Sequence, residues 1–428
     1  MNFLKSRPLR LARGLSIAVA LIAFLLKLDI AAHTVGSADA QFFHGFSEAI
    51  LRVGPFHIYG TRLRRGLPVY NHPPLTGLVL LLLGHLARHG VAFTTLIRIP
   101  PCFGDLCSAV VVFELTRRRQ RLPTALGCSV ALSASPVLVC VSAYHGNTDS
   151  LCVMFALVSV LLLADLGSPV WAGVAAALAI SVKLPPVVAL PLLLVGAFRI
   201  GPGAARRFLA GLLATLAVLW GPALVLEPRG LLRNVLEYQG GGDRQWGLLQ
   251  AGRWLGVPRP VLDFLYGSGH LPVVALVMAF GAVLAWKRPK ELPVVTGLTL
   301  SALLFLSTAS GVQYLAWAAP AMLVVGLWPG LWYNVLGGSL LVLIYTRWSG
   351  GFPWYRVHVT RWSDGELFLG LLTWAVLGLA IGYGAWQVWQ SDDVTLPQPR
   401  PDELGTGQPR VSIRSTARRA PSASSTPQ

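Results

Sequence analysis

Residues 36–75 read GSADAQFFHGFSEAILRVGPFHIYGTRLRRGLPVYNHPPL, and the rest of the chain is organised around this polar-rich stretch. It follows the first hydrophobic segment directly, and Asp39 lies just beyond the end of that segment. The stretch ends in YNHPPL, where the next apolar run begins. Because the chain is otherwise mostly apolar, these polar groups mark the first candidate functional region. Apolar residues within it recur at the spacing of an amphipathic helix: Phe42, Phe43, Phe46, Ile50 and Leu51.

The composition of the chain is that of a membrane protein. Of its 428 residues 54% are hydrophobic and only 12% are charged, about half the charged fraction of a soluble domain. Apolar runs, several of roughly 17–22 residues, match the length that crosses a bilayer as a helix. The sequence therefore predicts an all-α, polytopic transmembrane bundle of about 12–13 membrane segments, with interfacial helices in the first outside loop. The clearest runs are residues 125–143, 151–164, 208–226, 273–286, 294–308, 331–346 and 368–389.

Lys and Arg cluster in short loops between the apolar segments. A formal net charge of +17 could indicate nucleic-acid binding, but loops rich in Lys and Arg between apolar segments are typical of the cytoplasmic side of a membrane protein. The five cysteines lie in or beside apolar segments without paired spacing, which predicts buried thiols rather than disulfides or zinc ligands. The basic clusters are Lys5, Arg7, Arg10 and Arg13; Arg117, Arg118, Arg119 and Arg121; Arg206 and Arg207; and Lys287, Arg288 and Lys290.

The loop charges also predict the topology. The first thirty residues resemble a signal peptide, with a basic start followed by an apolar run, but the many spans that follow favour a retained anchor over about residues 15–32, which leaves Asp39 outside. Basic sequence at both ends of the bundle places both ends on the cytoplasmic side, which requires an even number of membrane crossings. The count of about thirteen apolar segments conflicts with this requirement. Residues 75–86 are short enough to be re-entrant. We expect a membrane domain over residues 1–389 and a disordered cytoplasmic tail over residues 390–428, rich in Pro, Ser, Thr and Gln.

Ionisable residues that face the outside form a mixed set of acids and cations, accompanied by many aromatic residues. Such groups are costly at membrane depth and are therefore often functional. Lys and Arg bind phosphate, and aromatic rings stack on sugar faces, so the set suits a sugar carried on a lipid phosphate. The set comprises Asp39, His72, Arg98, Asp105, His145, Asp149, Lys183, Asp243, Arg244 and Arg253.

Five stretches resemble GT-C-fold glycosyltransferases in the order of that family. YNHPPLTGLVLLLLG (70–84) is similar to the entry to the second helix of these enzymes, and RIPPCFGDLCSAVVVFELTRR (98–118) to a segment of bacterial members. HGNTDSL (145–151), SVKLPPVVALPLLL (181–194) and GVQYLAW (311–317) resemble motifs of GPI mannosyltransferase I. The resemblance covers roughly residues 36–328 and implies that residues 1–389 form a GT-C-type catalytic domain.

The resemblance implies transfer of a sugar, mannose or another hexose, from a polyprenyl-phosphate donor to an extracytoplasmic glycan, lipid or protein acceptor. Asp39 matches the acid that serves these enzymes as catalytic base, which would deprotonate the acceptor hydroxyl during an inverting displacement. Ser37 stands where GPI mannosyltransferase I has a second acid, which favours transfer without a metal or other cofactor and leaves a divalent ion as the alternative. The predicted donor- and acceptor-binding residues are His72, Arg98, Asp105, His145, Asn147, Asp149, Lys183, Arg244, Gln313 and Tyr314.

Several of these residues also have a structural interpretation, which the sequence leaves open. Asn147 and Asp149 could cap the helix that follows them, Asp105 could pair with Arg98, and Lys183 could extend to the lipid headgroups.

The remaining candidates have similar alternatives. His72 and His145 could be merely interfacial, and Gln313 and Tyr314 could be anchors in an aromatic belt. GGGDRQWG (240–247) is either a flexible loop or a mobile cover over the donor.

Two other classes of function compete with the glycosyltransferase. A secondary transporter or lipid flippase would show internal repeats and polar groups at mid-membrane, and the sequence shows neither. A non-catalytic subunit would keep the fold without the chemistry. We expect a multi-pass protein of the bacterial plasma membrane, with its site facing outside.

Overall fold

The computed structural model describes residues 2–238, 246–309, 311–351, 354 and 361–391. Within these ranges the chain is helical and contains no strand. Short π-helical and 3₁₀ turns join or extend several helices, among them the π-helix Val139–His145 and the 3₁₀ turn Val312–Tyr314. The helices are α1 Asn2–His33, α2 Ala38–Val53, α3 Pro74–Ala87, α4 Phe93–Leu96, α5 Ile99–Thr116, α6 Leu122–Ser133, α7 Pro136–Leu138, α8 Asp149–Val160, α9 Pro169–Val182, α10 Leu190–Ile200, α11 Pro202–Leu226, α12 Pro228–Leu231, α13 Leu248–Trp254, α14 Arg259–Tyr266, α15 His270–Lys287, α16 Leu292–Leu306, α17 Leu315–Val325, α18 Leu327–Ser349 and α19 Asp364–Gln390.

The described residues include eight helical segments long and apolar enough to cross a membrane, and four shorter apolar helices. The prediction of an all-α polytopic bundle is confirmed. The five cysteines carry free thiols, four of them buried, as their apolar surroundings predicted. The predicted boundary at residue 390, between the membrane domain and the tail, stays a prediction, because residues 392–428 lie outside the described part of the chain.

One end of the bundle gathers basic residues around a few acids. Arg13 and Arg117 both bind the carboxylate of Glu114, at 2.7 and 2.6 Å, and thereby join α1 to α5. Arg119 forms an ion pair with Asp165 at 3.0 Å, which joins the loop after α5 to the segment after α8. We call this end the basic face, and the opposite end, which carries Asp39 and Lys183, the site face.

Helix α3 does not cross the bundle. It has 14 residues, so it is about 21 Å long, shorter than the bilayer core of about 30 Å. Thr76 in its first turn donates to the carbonyl oxygen of Val182 at the site face, and Ser47 of α2 donates to Leu80 midway along it. Its end at Arg88 lines a groove with residues of α2 and α4, so both ends lie at the site face. Setting α3 aside would leave about twelve of the thirteen apolar segments expected from sequence, an even number, as basic loops at both ends of the bundle require.

Helices α9 and α11 pack with their backbones in contact. A side-chain carbon on Gly173 would lie 2.0 Å from the carbonyl oxygen of Phe208, and one on Gly211 would lie 2.1 Å from that of Val170. Small residues allow this close approach, which is how helices associate where water provides no hydrophobic driving force. The contact matters for the site because Lys183 follows directly after α9.

Gly211→Ala is expected to lower the free energy of unfolding by about 2 kcal/mol, because the added methyl group forces α9 and α11 apart. Gly221→Ala is the matched control on the same helix, since nothing lies within 4 Å of a carbon added there; we expect it to leave stability unchanged or to raise it by up to about 1 kcal/mol. Thermal unfolding of the purified proteins in detergent measures the difference. Equal melting temperatures for the two variants would contradict the close packing.

Candidate active site

A tight backbone turn holds Asp39 in the first turn of α2. Gly36 has a φ of 84°, a left-handed conformation that glycine adopts readily, and Ser37 caps the helix. The Ser37 hydroxyl accepts a hydrogen bond from the Asp39 N–H at 3.1 Å and donates one to the carbonyl oxygen of His145 at 2.7 Å. This bond fastens the start of α2 to the end of the π-helix Val139–His145, so Asp39 and His145 meet across 106 residues of sequence.

The Asp39 carboxylate is anchored through one oxygen. Its Oδ2 lies 2.9 Å from Nε2 of His145 and 2.9 Å from Nδ2 of Asn147, while the side chain remains 31% exposed. Burial raises the pKa of Asp39, but His145, Lys183 and Asn147 together lower it further, to about 2. Asp39 is therefore ionised at neutral pH, with one oxygen held by the protein.

Asn147 connects this carboxylate to a buried ion pair. Lys183 Nζ donates to Asn147 Oδ1 at 3.1 Å and to Asp149 Oδ1 at 2.7 Å, and Trp317 Nε1 donates to the same Asp149 oxygen. Asp149 is completely buried, and its carboxylate binds Lys183 and Trp317 rather than capping α8. The network therefore runs without a break from Asp39 through Asn147 to Lys183 and Asp149.

Aromatic rings border the Lys183 end of the network. The ammonium of Lys183 lies 5.2 Å from the centre of the Tyr314 ring, and Tyr314 stacks on Trp317 with ring centres 4.4 Å apart. Gln313 lies on the same 3₁₀ turn, where its side chain folds back over Gly311. Tyr314 is thus part of the site, and Gln313 lies next to it.

His72 lies beside the site as a neutral imidazole. It is half-buried, with its ring centre 4.8 Å from that of Phe43 and 5.7 Å from that of Tyr70. Burial lowers the pKa of His72 to about 3, and the charge of Lys183 lowers it in the same direction while that of Asp39 raises it. His72 can therefore offer a hydrogen bond or an apolar face to a ligand, but no positive charge at neutral pH.

Arg98 lies beneath the site and not in it, which corrects the expectation of a substrate contact. The side chain is fully buried, and its guanidinium donates to the carbonyl oxygens of Thr34, Thr94 and Ala143 and to the Thr34 hydroxyl, at 2.6–3.3 Å. These bonds tie the end of α1 to α4 and to the π-helix Val139–His145. Arg98 fixes the backbone that presents Asp39 and His145.

Asp105 also lies outside the site. It forms an ion pair with Lys27 of α1 at 2.7 Å, and each side chain is only 3% exposed. Asp105 was predicted to contact substrate, with a pairing to Arg98 as the alternative; its ion-pair partner is instead Lys27. The pair joins α1 to α5.

The remaining predicted residue, Arg244, lies in residues 239–245, outside the described part of the chain, as does most of GGGDRQWG.

The structure also adds residues that the sequence did not single out for the site. Trp317 was quoted within the GVQYLAW motif, and Ser37 only as a departure from the family. Tyr345, which hydrogen-bonds Nδ1 of His145, gave no signal, because it is one aromatic residue in a long apolar span.

The site combines an ionised carboxylate, which has an exposed edge, with a lysine and aromatic rings at one end of a membrane bundle. A carboxylate so placed can accept a proton from a hydroxyl. The lysine can offer a hydrogen and a positive charge to an anion.

No protein-family model and no curated protein matches this sequence. The solved structures similar to it in fold include two of ArnT from Cupriavidus metallidurans. ArnT bound to undecaprenyl phosphate aligns with a TM-score of 0.50 and 18% identity over 88% of this chain and 76% of that one. Apo ArnT aligns with a TM-score of 0.51 and 18% identity over 88% and 75%. The fold and site thus define a polytopic membrane protein with a polar site at one end. Its fold is the GT-C fold, as the ordered motifs predicted.

Proposed function

We propose that the protein is a membrane glycosyltransferase that moves a sugar, mannose or another hexose, from a polyprenyl-phosphate donor to an extracytoplasmic acceptor with inversion. The Asp39 carboxylate carries the proposal, since it is ionised, anchored through one oxygen and partly exposed. The undecaprenyl phosphate bound to ArnT, which has the same fold, supports a lipid-phosphate donor. In the proposed orientation the site face lies outside the plasma membrane.

Asp39 acts as general base in a single displacement. The acceptor hydroxyl oxygen attacks the anomeric carbon, the bond from that carbon to the phosphate oxygen breaks, and its electron pair leaves with the lipid phosphate. The hydroxyl proton passes to Asp39. A carboxylate with a pKa of about 2 is a weak base for a free alcohol, but the hydroxyl becomes strongly acidic as its oxygen bonds to carbon, so the proton moves late in the step.

Lys183 binds the donor phosphate. Two of its three ammonium hydrogens are directed at Asn147 and Asp149, and the third remains for a phosphate oxygen. The leaving group is already a phosphate and needs no general acid, so a fixed positive charge is sufficient to stabilise the charge that develops on it. The aromatic pair Tyr314 and Trp317 borders the same position.

The transfer is proposed to need no metal. Asp39 Oδ2 receives N–H groups, which makes this oxygen an acceptor within a network. The described ranges contain no group of three His, Cys, Asp or Glu side chains that could hold an ion. The carboxylates of Asp39 and Asp149 are separated by Asn147 and Lys183 rather than facing a common point.

The proposal is tested with purified protein in proteoliposomes and radiolabelled polyprenyl-phosphate sugars, with and without EDTA. We expect transfer to a lipid or glycan acceptor, unchanged by EDTA, and accumulation of the lipid-linked donor, seen by mass spectrometry, in cells that lack the protein. Lipid movement across the bilayer without transfer would instead support the flippase. Loss of transfer in EDTA would overturn the metal-independent mechanism alone.

A further inference from the structure

The imidazole of His145 links Asp39 to Tyr345. Its Nε2 lies 2.9 Å from Asp39 Oδ2, and its Nδ1 is hydrogen-bonded to the Tyr345 hydroxyl. The three side chains come from α2, from the π-helix Val139–His145 and from α18, and Tyr345 follows His145 by 200 residues. The mechanism above uses only the carboxylate and leaves the Tyr345 hydroxyl without a role.

Tyr345 is held rigidly by its neighbours. It is completely buried, and its ring centre lies 5.1 Å from that of Tyr144, 5.7 Å from that of His145 and 5.8 Å from that of Trp354. The ring meets Tyr144 edge to face and lies tilted against the other two rings, and close packing of this kind leaves it little room to rotate. The hydroxyl therefore stays directed at His145.

The Tyr345 hydroxyl and the Asp39 carboxylate, one on each side of the ring, together decide which imidazole nitrogen carries the hydrogen. In a neutral imidazole one nitrogen donates and the other accepts. When Tyr345 donates to Nδ1, the hydrogen lies on Nε2 and points at the Asp39 carboxylate. The other tautomer would turn the Nε2 lone pair towards an ionised oxygen, which is repulsive.

This tautomer determines which Asp39 oxygen faces the acceptor. Nε2–H of His145 and the amide of Asn147 then both donate to the same oxygen, Oδ2. Oδ1 is left for the acceptor hydroxyl. A rotating carboxylate would present each oxygen only part of the time, and misplaced reacting groups slow a reaction.

We propose that Tyr345 is a positioning residue for sugar transfer: its hydroxyl sets the tautomer of His145, and His145 in turn reserves one oxygen of Asp39 for the acceptor. The inference rests on the proposed function. Because Tyr345 is completely buried and its hydroxyl bonds His145, it acts through His145.

Tyr345→Phe removes the hydroxyl and keeps the ring. We expect kcat to fall about tenfold, the effect of one lost hydrogen bond, while KM for the donor stays the same. Tyr144→Phe is the matched control, because Tyr144 packs in the same aromatic cluster and its buried hydroxyl has no hydrogen-bond partner within the described residues. We expect the control to retain the wild-type kcat. Equal rates for the two variants would overturn the inference.

Two further measurements separate positioning from simple packing. In a His145→Ala background Tyr345→Phe should cause no additional loss, because the group through which it acts is gone; a repeated tenfold loss would overturn the inference. Nitrogen-15 NMR of histidine-labelled wild-type protein at neutral pH, assigned with the His145→Ala variant, should show Nε2 protonated and Nδ1 not. The reverse tautomer, or a ring protonated on both nitrogens, would overturn the inference without any need for the Tyr345 variant to fold. Absence of transfer by wild-type protein would instead contradict the proposed function.

Discussion

Asp39→Asn is expected to lower kcat for sugar transfer by about a thousandfold, within the range that a general base contributes. The asparagine carbonyl can still accept the hydrogen bonds from His145 and Asn147, so the start of α2 should remain in place. Its amide group then occupies the position of Oδ1 and cannot take a proton. Expression, melting temperature and donor binding should therefore stay close to wild type, and the assay is radiolabelled transfer in proteoliposomes.

The matched control for this variant is Asp29→Asn. Asp29 is an acid ten residues earlier in the chain, 70% exposed at the end of α1, where it is paired with His33. We expect this variant to transfer sugar at the wild-type rate. Unchanged transfer by the Asp39 variant would remove Asp39 as the base and with it the central step of the mechanism.

The lowered pKa of Asp39 also sets the pH at which its charge disappears. Because its folded pKa, about 2, lies below the ordinary value of about 3.9, the ionised carboxylate stabilises the fold. That stabilisation is fully present above the unfolded value and is lost as the pH falls through about 2. Neither Asp39 nor His72, whose pKa is about 3, changes its charge between about pH 7 and 5. A decline of kcat over that range would accordingly come from another group.

Lys183→Met is expected to lower the free energy of unfolding by about 3–5 kcal/mol and to weaken donor binding at the same time. Asp149 is completely buried, and Lys183 and Trp317 share its Oδ1, while its Oδ2 has no partner within the described residues. Removing the ammonium leaves an uncompensated charge in the protein interior. Thermal unfolding measures the first effect, and KM for the polyprenyl-phosphate sugar measures the second.

The double variant Lys183→Met/Asp149→Asn separates these two effects. Replacing the carboxylate by an amide removes the buried charge, so we expect most of the stability to return. Donor KM should stay high, because no cation remains for the phosphate. Recovery of both stability and donor affinity would show that Lys183 has a structural role only.

The class of the protein and much of the site could be predicted from sequence because both depend on local patterns. Apolar runs of bilayer length and basic loops predict a polytopic bundle without any knowledge of packing. The HGNTDSL and SVKLPP motifs brought His145, Asn147, Asp149 and Lys183 into the predicted set, and the structure joins these four residues with Asp39 in one network.

Long-range pairing could not be predicted in the same way. Asp105 could bind any cation that the fold brought near it, and that cation is Lys27, 78 residues earlier. Arg98 could face a substrate or the backbone, and its position between three segments directs it to backbone carbonyl oxygens. A periodic pattern specifies which face of a helix is apolar, but not which helix lies opposite.

The sequence by itself determined an all-α membrane bundle and a catalytic candidate at Asp39, and it marked residues 75–86 as a short segment that could be re-entrant, because helix length, hydropathy and loop charge act locally. Only the tertiary structure decided which partners surround that carboxylate. Ser37, His145 and Tyr345 meet near Asp39 because α2, the π-helix Val139–His145 and α18 converge at the site face. The hydrogen bonds that hold one oxygen of Asp39 therefore depend on contacts between residues as far apart in sequence as His145 and Tyr345, which 200 positions separate.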